Sequence, residues 1–349
     1  MTPSIAAYKE YFTKLRTQAE GKQLPDVFWM NGPNIQLYAS NDMLAPLDDL
    51  SDVDWAKYPE ALVELYTVDG KHYGVPKDYD TIACIINTAL FEKHGVEIPT
   101  GEWTWEEHNA AAAKIAAGGD MGVVASLNDS QATYYNTIAQ AGGYVIKDNK
   151  SGFADPKSVA GLQMWTDLIA DGSMPSLQVL SDSEPVTLFT AGKAGIFWTG
   201  SWTIKPLLDD FPDKSQVLVV PLPKGEQRAT VIHGVSYVAA ANSKNLGAAK
   251  ALAAMTNEKA NQTEASNGTA IPAYTGTQTA WLDLQKDWKL DVFTTAAEEY
   301  AVPYPVSKNT SAWANLESEI LPNVFSGAKP AEEAGKELAE KMDALLAKE

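Results

Sequence analysis

The sequence predicts an α/β protein of two domains, on three observations. A chain of 349 residues is longer than one hydrophobic core usually organises, so two cores are expected. Short apolar runs ending in turn residues alternate with stretches of helical periodicity over short links, the pattern of α/β folds with largely parallel sheets. No internal repeat or low-complexity tether interrupts the alternation, so the domains are expected to join inside strand-rich segments.

The elements follow in order. Apolar positions from Ile5 to Ala19, including Phe12 and Leu15, predict an opening helix, and a core-facing helix so near the first residue suggests that the native protein begins earlier. Pro25 to Pro33 reads as a strand through Val27-Phe28-Trp29-Met30-Asn31 that ends in turn residues, and Asn34 to Ser40 as a helix. Lys71 to Pro76 reads as a strand closed by a turn, and Thr81 to Ile86 as a continuous buried strand. Thr104 followed by Glu107 is a capping box, starting a helix that runs through Ala110 to Ala117 and stops at Gly118-Gly119. Helices are predicted over 131–141 and, opened by Asp155-Pro156, to about Ala170. Ala194 to Trp198, Val217 to Val220 and Gly234 to Ala240 read as further strands. The tail from Pro330 to Lys348 is an amphipathic helix with Ala334, Leu338, Met342 and Leu345 on one stripe.

Bulk properties then narrow the function. The formal net charge is -18 and no basic run is present, which disfavours a nucleic-acid or anionic-membrane surface. The one cysteine, Cys84, sits in an apolar run and reads as a buried thiol, and no intrachain disulfide is possible. No stretch approaches the roughly 18 apolar residues of a membrane span. The four histidines, His72, His94, His108 and His233, lack metal-ligand spacing, so no metal is expected. Neither a nucleophile elbow, a P-loop nor a dinucleotide fingerprint occurs, and no cofactor is implied. Asp78 and Asp80 are the one pair that glycoside hydrolysis could recruit; as ionised acceptors they equally suit a hydroxyl-rich ligand.

Aromatic residues stand out. Of 10 Trp and 14 Tyr, several fall where a strand breaks into a turn. Trp29 precedes Asn31-Gly32, Tyr79 lies between Asp78 and Asp80, and Trp198 and Trp202 flank Gly200-Ser201. A sugar offers an apolar face of C–H groups and a rim of hydroxyls. Flat rings match the face, while carboxylates, amides and hydroxyls match the rim. In open sheets such crevices lie outside the carboxyl ends of strands.

These residues carry a resemblance. The sequence is similar to the extracellular solute-binding proteins of ATP-driven sugar importers, the family that includes maltose-binding protein. The matching stretches include Pro25-Asp26-Val27-Phe28-Trp29-Met30-Asn31, Leu44-Ala45-Pro46-Leu47, Tyr73-Gly74-Val75-Pro76-Lys77-Asp78 with Asn87, and Trp103-Thr104-Trp105-Glu106-Glu107. Phe189 to Gly195, Gly200-Ser201-Trp202, Pro221-Leu222-Pro223, Gly234-Val235-Ser236-Tyr237 and Gly268-Thr269-Ala270-Ile271-Pro272 continue it in order along essentially the whole chain.

The resemblance implies the two-lobed periplasmic-binding-protein fold of the second type, with a hinge between lobes. Lobe 1 would hold 1–82 and 236–280, lobe 2 would hold 88–230 and 281–349, and 83–87 and 231–235 would cross between them. Family positions that line the crevice fall on Trp29, Asn31, Asp78, Asp80, Gly200, Ser201, Trp202, Gly234 and Ser236. Position and chemistry add Tyr38, Tyr79, Tyr134, Trp198, Tyr237 and Tyr274. Family members begin with a strand, a helix and a second strand ahead of the helix that opens this chain, so lobe 1 is expected to lack that segment, along with an export signal and a lipid anchor.

The expected function is reversible capture of a neutral mono- or oligosaccharide outside the cytoplasm and its delivery to membrane permease subunits, without catalysis. With a complete N-terminus the protein is expected to be a monomer. Two other classes stay open: a glycan-degrading enzyme using Asp78 and Asp80, and a sensor or structural protein on the same fold.

Overall fold

Two open sheets, assembled from segments far apart in the chain, form the centres of two α/β lobes. The computed structural model describes residues 2–255 and 258–349. Its framing elements begin with helix α1 (Tyr8–Glu20), strand β1 (Val27–Asn31), helix α2 (Gly32–Ser40), and strands β2 (Val75–Pro76) and β3 (Ile82–Asn87). Helix α3 (Trp105–Ala117), strand β4 (Met121–Ala125), and helices α4 (Tyr134–Gln140) and α5 (Pro156–Ala170) follow. Strands β5 (Ala194–Gly200), β6 (Val217–Val220), β7 (Thr230–Ile232), β8 (Val235–Ala239) and β9 (Ala301–Pro303) lead to the C-terminal helices α6 (Thr310–Phe325) and α7 (Ala331–Leu346).

Local chemistry accounts for the boundaries. The Thr104 hydroxyl accepts the Glu107 N–H at 3.2 Å while the Glu107 carboxylate accepts the Thr104 N–H at 2.7 Å, so two donors at the start of α3 are satisfied reciprocally. Asp155 caps α5 by accepting the Lys157 N–H at 2.8 Å, and Pro156 takes the first helical position, where it forfeits no hydrogen bond. All six residues of β3 are buried, as an unbroken apolar run requires of a strand covered on both faces. Cys84 lies within it, and burial pushes its thiol well above the ordinary range.

The first sheet has the order β1-β8-β2 and the second β6-β3-β5-β4. The strand directions depart from the expectation of largely parallel sheets. Both pairings of the first sheet are antiparallel, and β3 runs antiparallel to β5 and β6; β5 with β4 is the parallel pair there. The reason is topological. β8 inserts between strands that precede it by more than 150 residues, so alternation along the chain does not set direction within the sheet.

The chain leaves the first sheet at Pro76 and enters the second at Ile82; it leaves the second at Val220 and returns at Val235. In the crossing, Asp80 and His233 exchange backbone hydrogen bonds of 2.7 and 3.2 Å, and β7 pairs in parallel with β9. Residues 83–87, expected to cross, are instead the interior of β3, held between β5 and β6. Residues 77–81, upstream of them, are the stretch that joins the two sheets.

Helices α6 and α7 pack on each other and on α5. Where α6 meets α4, the buried Glu317 carboxylate accepts the Tyr134 hydroxyl at 2.7 Å and the Tyr135 hydroxyl at 2.8 Å. Burial pushes this carboxyl up to about 8, and the two tyrosine donors moderate the rise.

Candidate functional site

Strand register builds the site. Gly200 of β5 stands opposite Ile82 of β3, so Ser201 and Thr81 continue the pair beyond the sheet, with the Ser201 N–H donating to the Thr81 carbonyl at 3.3 Å. One residue further back, the Asp80 carboxylate accepts the Ser201 hydroxyl at 2.6 Å. β4 is parallel to β5, so the loop that follows it opens at the same edge and brings Asp129 to the cluster. An acid and a hydroxyl thus meet at the rim of the second sheet, where the chain crosses to the first.

The crossing contributes charge. Lys77 pairs with Asp78 at 2.5 Å, and the second Asp78 oxygen accepts the Val235 N–H at 2.9 Å. Asp80 is half-buried. Burial pushes its carboxyl up to about 7, the charges of Asp78 and Asp129 add to the rise, and the Ser201 hydroxyl and Lys77 oppose it. Asp129 is raised as well, chiefly by burial. Opposite Asp80, His233 accepts the Gly32 N–H on Nε2 at 3.1 Å, which places its proton on Nδ1; burial holds it neutral, with a pKa of about 4.

Aromatic groups flank the acids on both lobes. Trp29 is 40% exposed, unusual for an indole on a strand, and lies across β1 and β8 from Tyr237, with ring centroids 6.4 Å apart. Lys77 Nζ sits 5.0 Å from the Trp29 ring centroid. The Tyr11 hydroxyl ties the platform down, donating to the Trp29 carbonyl at 3.1 Å and accepting its N–H at 2.9 Å. On the other lobe the half-buried Trp202 folds its indole over Gly200; a Cβ there would come within 1.9 Å of the ring. Gly234 is required for a similar reason, since a Cβ would meet the Asp78 carbonyl oxygen at 2.0 Å.

Of the residues singled out from the sequence, Trp29, Asp78, Asp80, Gly200, Ser201, Trp202, Gly234 and Tyr237 are gathered at this crossing. Asn31 is close by at the end of β1, where its side chain accepts the Asn34 amide at 2.7 Å as α2 begins. The others are placed elsewhere. Trp198 is fully buried, donating to His108 Nε2 at 2.9 Å and packed edge-on against Trp165, because β5 is covered on both faces. Tyr134 is spent on Glu317, Tyr38 lies in the lobe 1 core, and Ser236 is buried beneath Gly74 with its hydroxyl on the Met30 carbonyl at 3.3 Å. Neighbours in an extended segment face opposite ways, so Tyr79 points away from Asp78 and Asp80 into a separate cavity of about 510 Å³ beside Glu60, Gln278 and Pro303. Tyr274 packs edge-on against Tyr58.

Lys77, Asp129, His233 and Tyr11 were not anticipated. Met121-Gly122-Val123-Val124-Ala125 followed by Ser126, Asn128 and Asp129 is a strand-then-turn signal that marks Asp129. Among the described residues, no group of three or more His, Cys, Asp or Glu has metal-holding geometry, and no helix is long and apolar enough to cross a membrane.

Two open-sheet lobes joined by crossing strands, with acids on the crossing and rings on either side, define a two-lobed binding protein of α/β class. Residues 2–312 match the family described as bacterial extracellular solute-binding protein, and the chain belongs to that family. It is 31% identical over 223 residues to the arabinooligosaccharide-binding protein of Bacillus subtilis (strain 168), covering 61% of this chain and 51% of that one. It is 27% identical over 279 residues to the galactooligosaccharide-binding protein of the same organism, covering 76% and 64%. A putative binding protein of Brucella abortus (strain 2308) is 28% identical over 217 residues, covering 60% and 52%. The chain thus spans about half the length of several curated relatives it matches. Among solved structures, the Listeria monocytogenes ABC substrate-binding protein Lmo0181, in complex with cycloalternan, superposes with a TM-score of 0.89 at 26% identity, over 99% of this chain and 90% of that one. The GacH receptor of Streptomyces glaucescens GLA.O shares the fold, with a TM-score of 0.85 at 24% identity over 98% and 89%.

Proposed function

We propose that this chain is the carbohydrate-binding component of an ATP-driven importer, working outside the cytoplasm and handing a neutral sugar or oligosaccharide to permease subunits in the membrane. The observation that carries this reading is the Asp80–Ser201 pair at the crossing, flanked by the exposed Trp29 of one lobe and Trp202 of the other. Rings supply flat apolar area for C–H faces, and the acid–hydroxyl pair takes the rim. Similarity to proteins that bind arabino- and galacto-oligosaccharides, and to a structure in complex with cycloalternan, supports a ligand of more than one sugar unit.

On this reading the lobes divide where the chain changes sheets, with bending in 77–81 and in the segment that contains His233 and Gly234. Sugar enters the open crevice, and rotation of the lobes about these strands closes it. Binding, not hydrolysis, is the chemistry favoured by Asp78, because both its oxygens are engaged, by Lys77 and the Val235 N–H, leaving no second free carboxylate beside Asp80 on the crossing.

The test is a thermal-shift screen over arabino-, galacto- and malto-oligosaccharides of one to five units, followed by calorimetry of each stabilising sugar. A saturable rise in melting temperature with the sugar recovered intact supports the reading. Steady release of reducing ends would replace it with the hydrolase, and no shift with any saccharide would refute carbohydrate capture.

A further inference from the structure

Tyr79 carries a hydroxyl that nothing in the fold answers. It stands between Asp78 and Asp80 on the crossing, faces the opposite way, and is 3% exposed. Among the described residues its hydroxyl has no hydrogen-bond partner, although a phenol so deeply buried ordinarily has one. What it meets instead is the cavity of about 510 Å³ on the side of the crossing away from Asp80.

The walls of this cavity are acidic. Glu60 and Glu64 lie four residues apart on the helix Glu60–Leu65, so they share one face of it. Glu298 and Glu299 end the helix Asp291–Glu299, where the helix dipole adds its negative pole. The first helix packs on β9, which begins two residues after Glu299, so the two acidic stretches are neighbours. Arg228 answers Glu299, donating to its carboxylate at 3.0 Å with the guanidinium 3.8 Å over the Tyr300 ring. This wall therefore already holds one organic cation between a carboxylate and a phenol ring. Glu60, Glu64 and Glu298 have no such answer: among the described residues their side chains make no hydrogen bond or ion pair. Like charges four apart on a helix repel, and a cation entering between them relieves the repulsion.

The shape selects the kind of cation. Among the described residues no three acids converge with metal-holding geometry, so the negative charge is spread along the walls and matches positive charge spread along a ligand. Pro59, Ala61, Ala297 and Pro303 supply apolar area for methylene groups. Gln278 is engaged elsewhere, its amide donating to the Pro272 and Tyr274 carbonyls at 2.8 and 2.9 Å. Burial and the charge of Glu298 hold the Tyr79 hydroxyl protonated, leaving it a neutral acceptor for an N–H.

We propose that this cavity binds a linear organic di- or polyammonium ion, with its nitrogens on Glu60, Glu64 and Glu298, its methylenes on the apolar wall, and one N–H donating to the Tyr79 hydroxyl. The site does not depend on what the crevice holds, so either reading stands if the other fails.

Calorimetry with spermidine and with butylamine tests it, at about 0.15 M salt, where exposed charges more than about 8 Å apart are largely screened. The expected result is one saturable site for spermidine, with the monoamine at least about tenfold weaker. Tyr79→Phe removes only the hydroxyl and should weaken spermidine about fivefold or more, and Glu64→Gln with Glu298→Gln about tenfold or more. Glu92→Gln with Glu97→Gln removes the same charge from exposed positions outside the cavity and should leave affinity within about twofold. Equal loss in the two double variants would mean diffuse attraction to a chain of net charge -18, and overturns the site. No saturable binding, a monoamine as tight as spermidine, or unchanged affinity in Tyr79→Phe overturns it equally. If Tyr79→Phe melts early, the two double variants decide by themselves.

Discussion

Replacing Asp80 by Asn probes the crevice most directly, because this carboxyl titrates near neutral pH. Its pKa of about 7 reflects burial first and the neighbouring charge of Asp78 second, offset by the Ser201 hydroxyl and Lys77. A sugar hydroxyl donates best to the ionised form, through a charge-assisted bond about twice as strong as a neutral one. Sugar therefore selects ionised Asp80, and binding releases a proton. The sign follows by linkage: affinity is nearly complete at pH 8, about half at pH 7 and falls further as pH drops below it. About nine-tenths of the protein is competent at pH 8 and about one-tenth at pH 6, so apparent affinity should differ about tenfold between them. The Asp80→Asn variant cannot ionise. It should show no such slope, and at pH 8 it should bind about 5- to 30-fold more weakly, the effect of exchanging a charged acceptor for an amide. Calorimetry at pH 6, 7 and 8, in two buffers of different ionisation enthalpy, reads both the affinity and the proton count. Asp129 is the competing source of a slope, since burial raises it too, while His233 stays neutral across this range. If Asp80→Asn keeps the slope of the unaltered chain, Asp80 does not hold the sugar as argued.

Two further outcomes are expected. Trp202→Ala should lower sugar affinity at least about tenfold, because the half-buried indole covers Gly200 at the crevice and only part of it packs against the core; unchanged calorimetric binding would remove Trp202 from the site. Glu317 binds a proton in the folded chain up to about pH 8 but only to about 4.5 when unfolded, so it makes stability fall as pH rises between those values, by up to about 1.4 kcal/mol per pH unit. Urea unfolding at pH 5 and pH 8 should show a shallower pH slope for Glu317→Gln than for the unaltered chain, and identical slopes would mean that Glu317 is already ionised in the native state.

What the sequence disclosed and what it hid divide along a physical line. Local signals were legible: the Thr104–Glu107 box and the Asp155-Pro156 start each depend on neighbours within a few residues and fell where expected, and the apolar run expected as a strand over Thr81 to Ile86 forms β3 one residue further on, Ile82–Asn87. Ser201 and Asp80 were legible singly, as polar residues at strand ends, but their pairing depends on the Gly200–Ile82 register, which spans more than 100 residues. Aromatic chemistry misled wherever burial decided the role. Trp198 and Trp202 look alike on paper, four residues apart, yet one lies inside β5 with both faces covered and the other lies past its end. Tyr134 carries a hydroxyl suited to sugars, but a partner carboxylate 183 residues away had already claimed it.

The placement of the acids explains how capture and closure can be one event. Asp78 and Asp80 stand on the segment between the two main sheets, and Asp80 is hydrogen-bonded through its backbone to His233 on the second crossing segment. A ligand that stacks on Trp29 and bonds to Ser201 spans both lobes, with Asp80 between them. Each added contact then favours the closed arrangement by its differential strength there, which is the one way a ligand shifts such an equilibrium. The buried ties around the crossing, Gly32 to His233 and Val235 to Asp78, hold that segment in register. On the proposed reading the crevice needs no mobile loop to close over its sugar, because the segments that hold the acids are themselves the hinge.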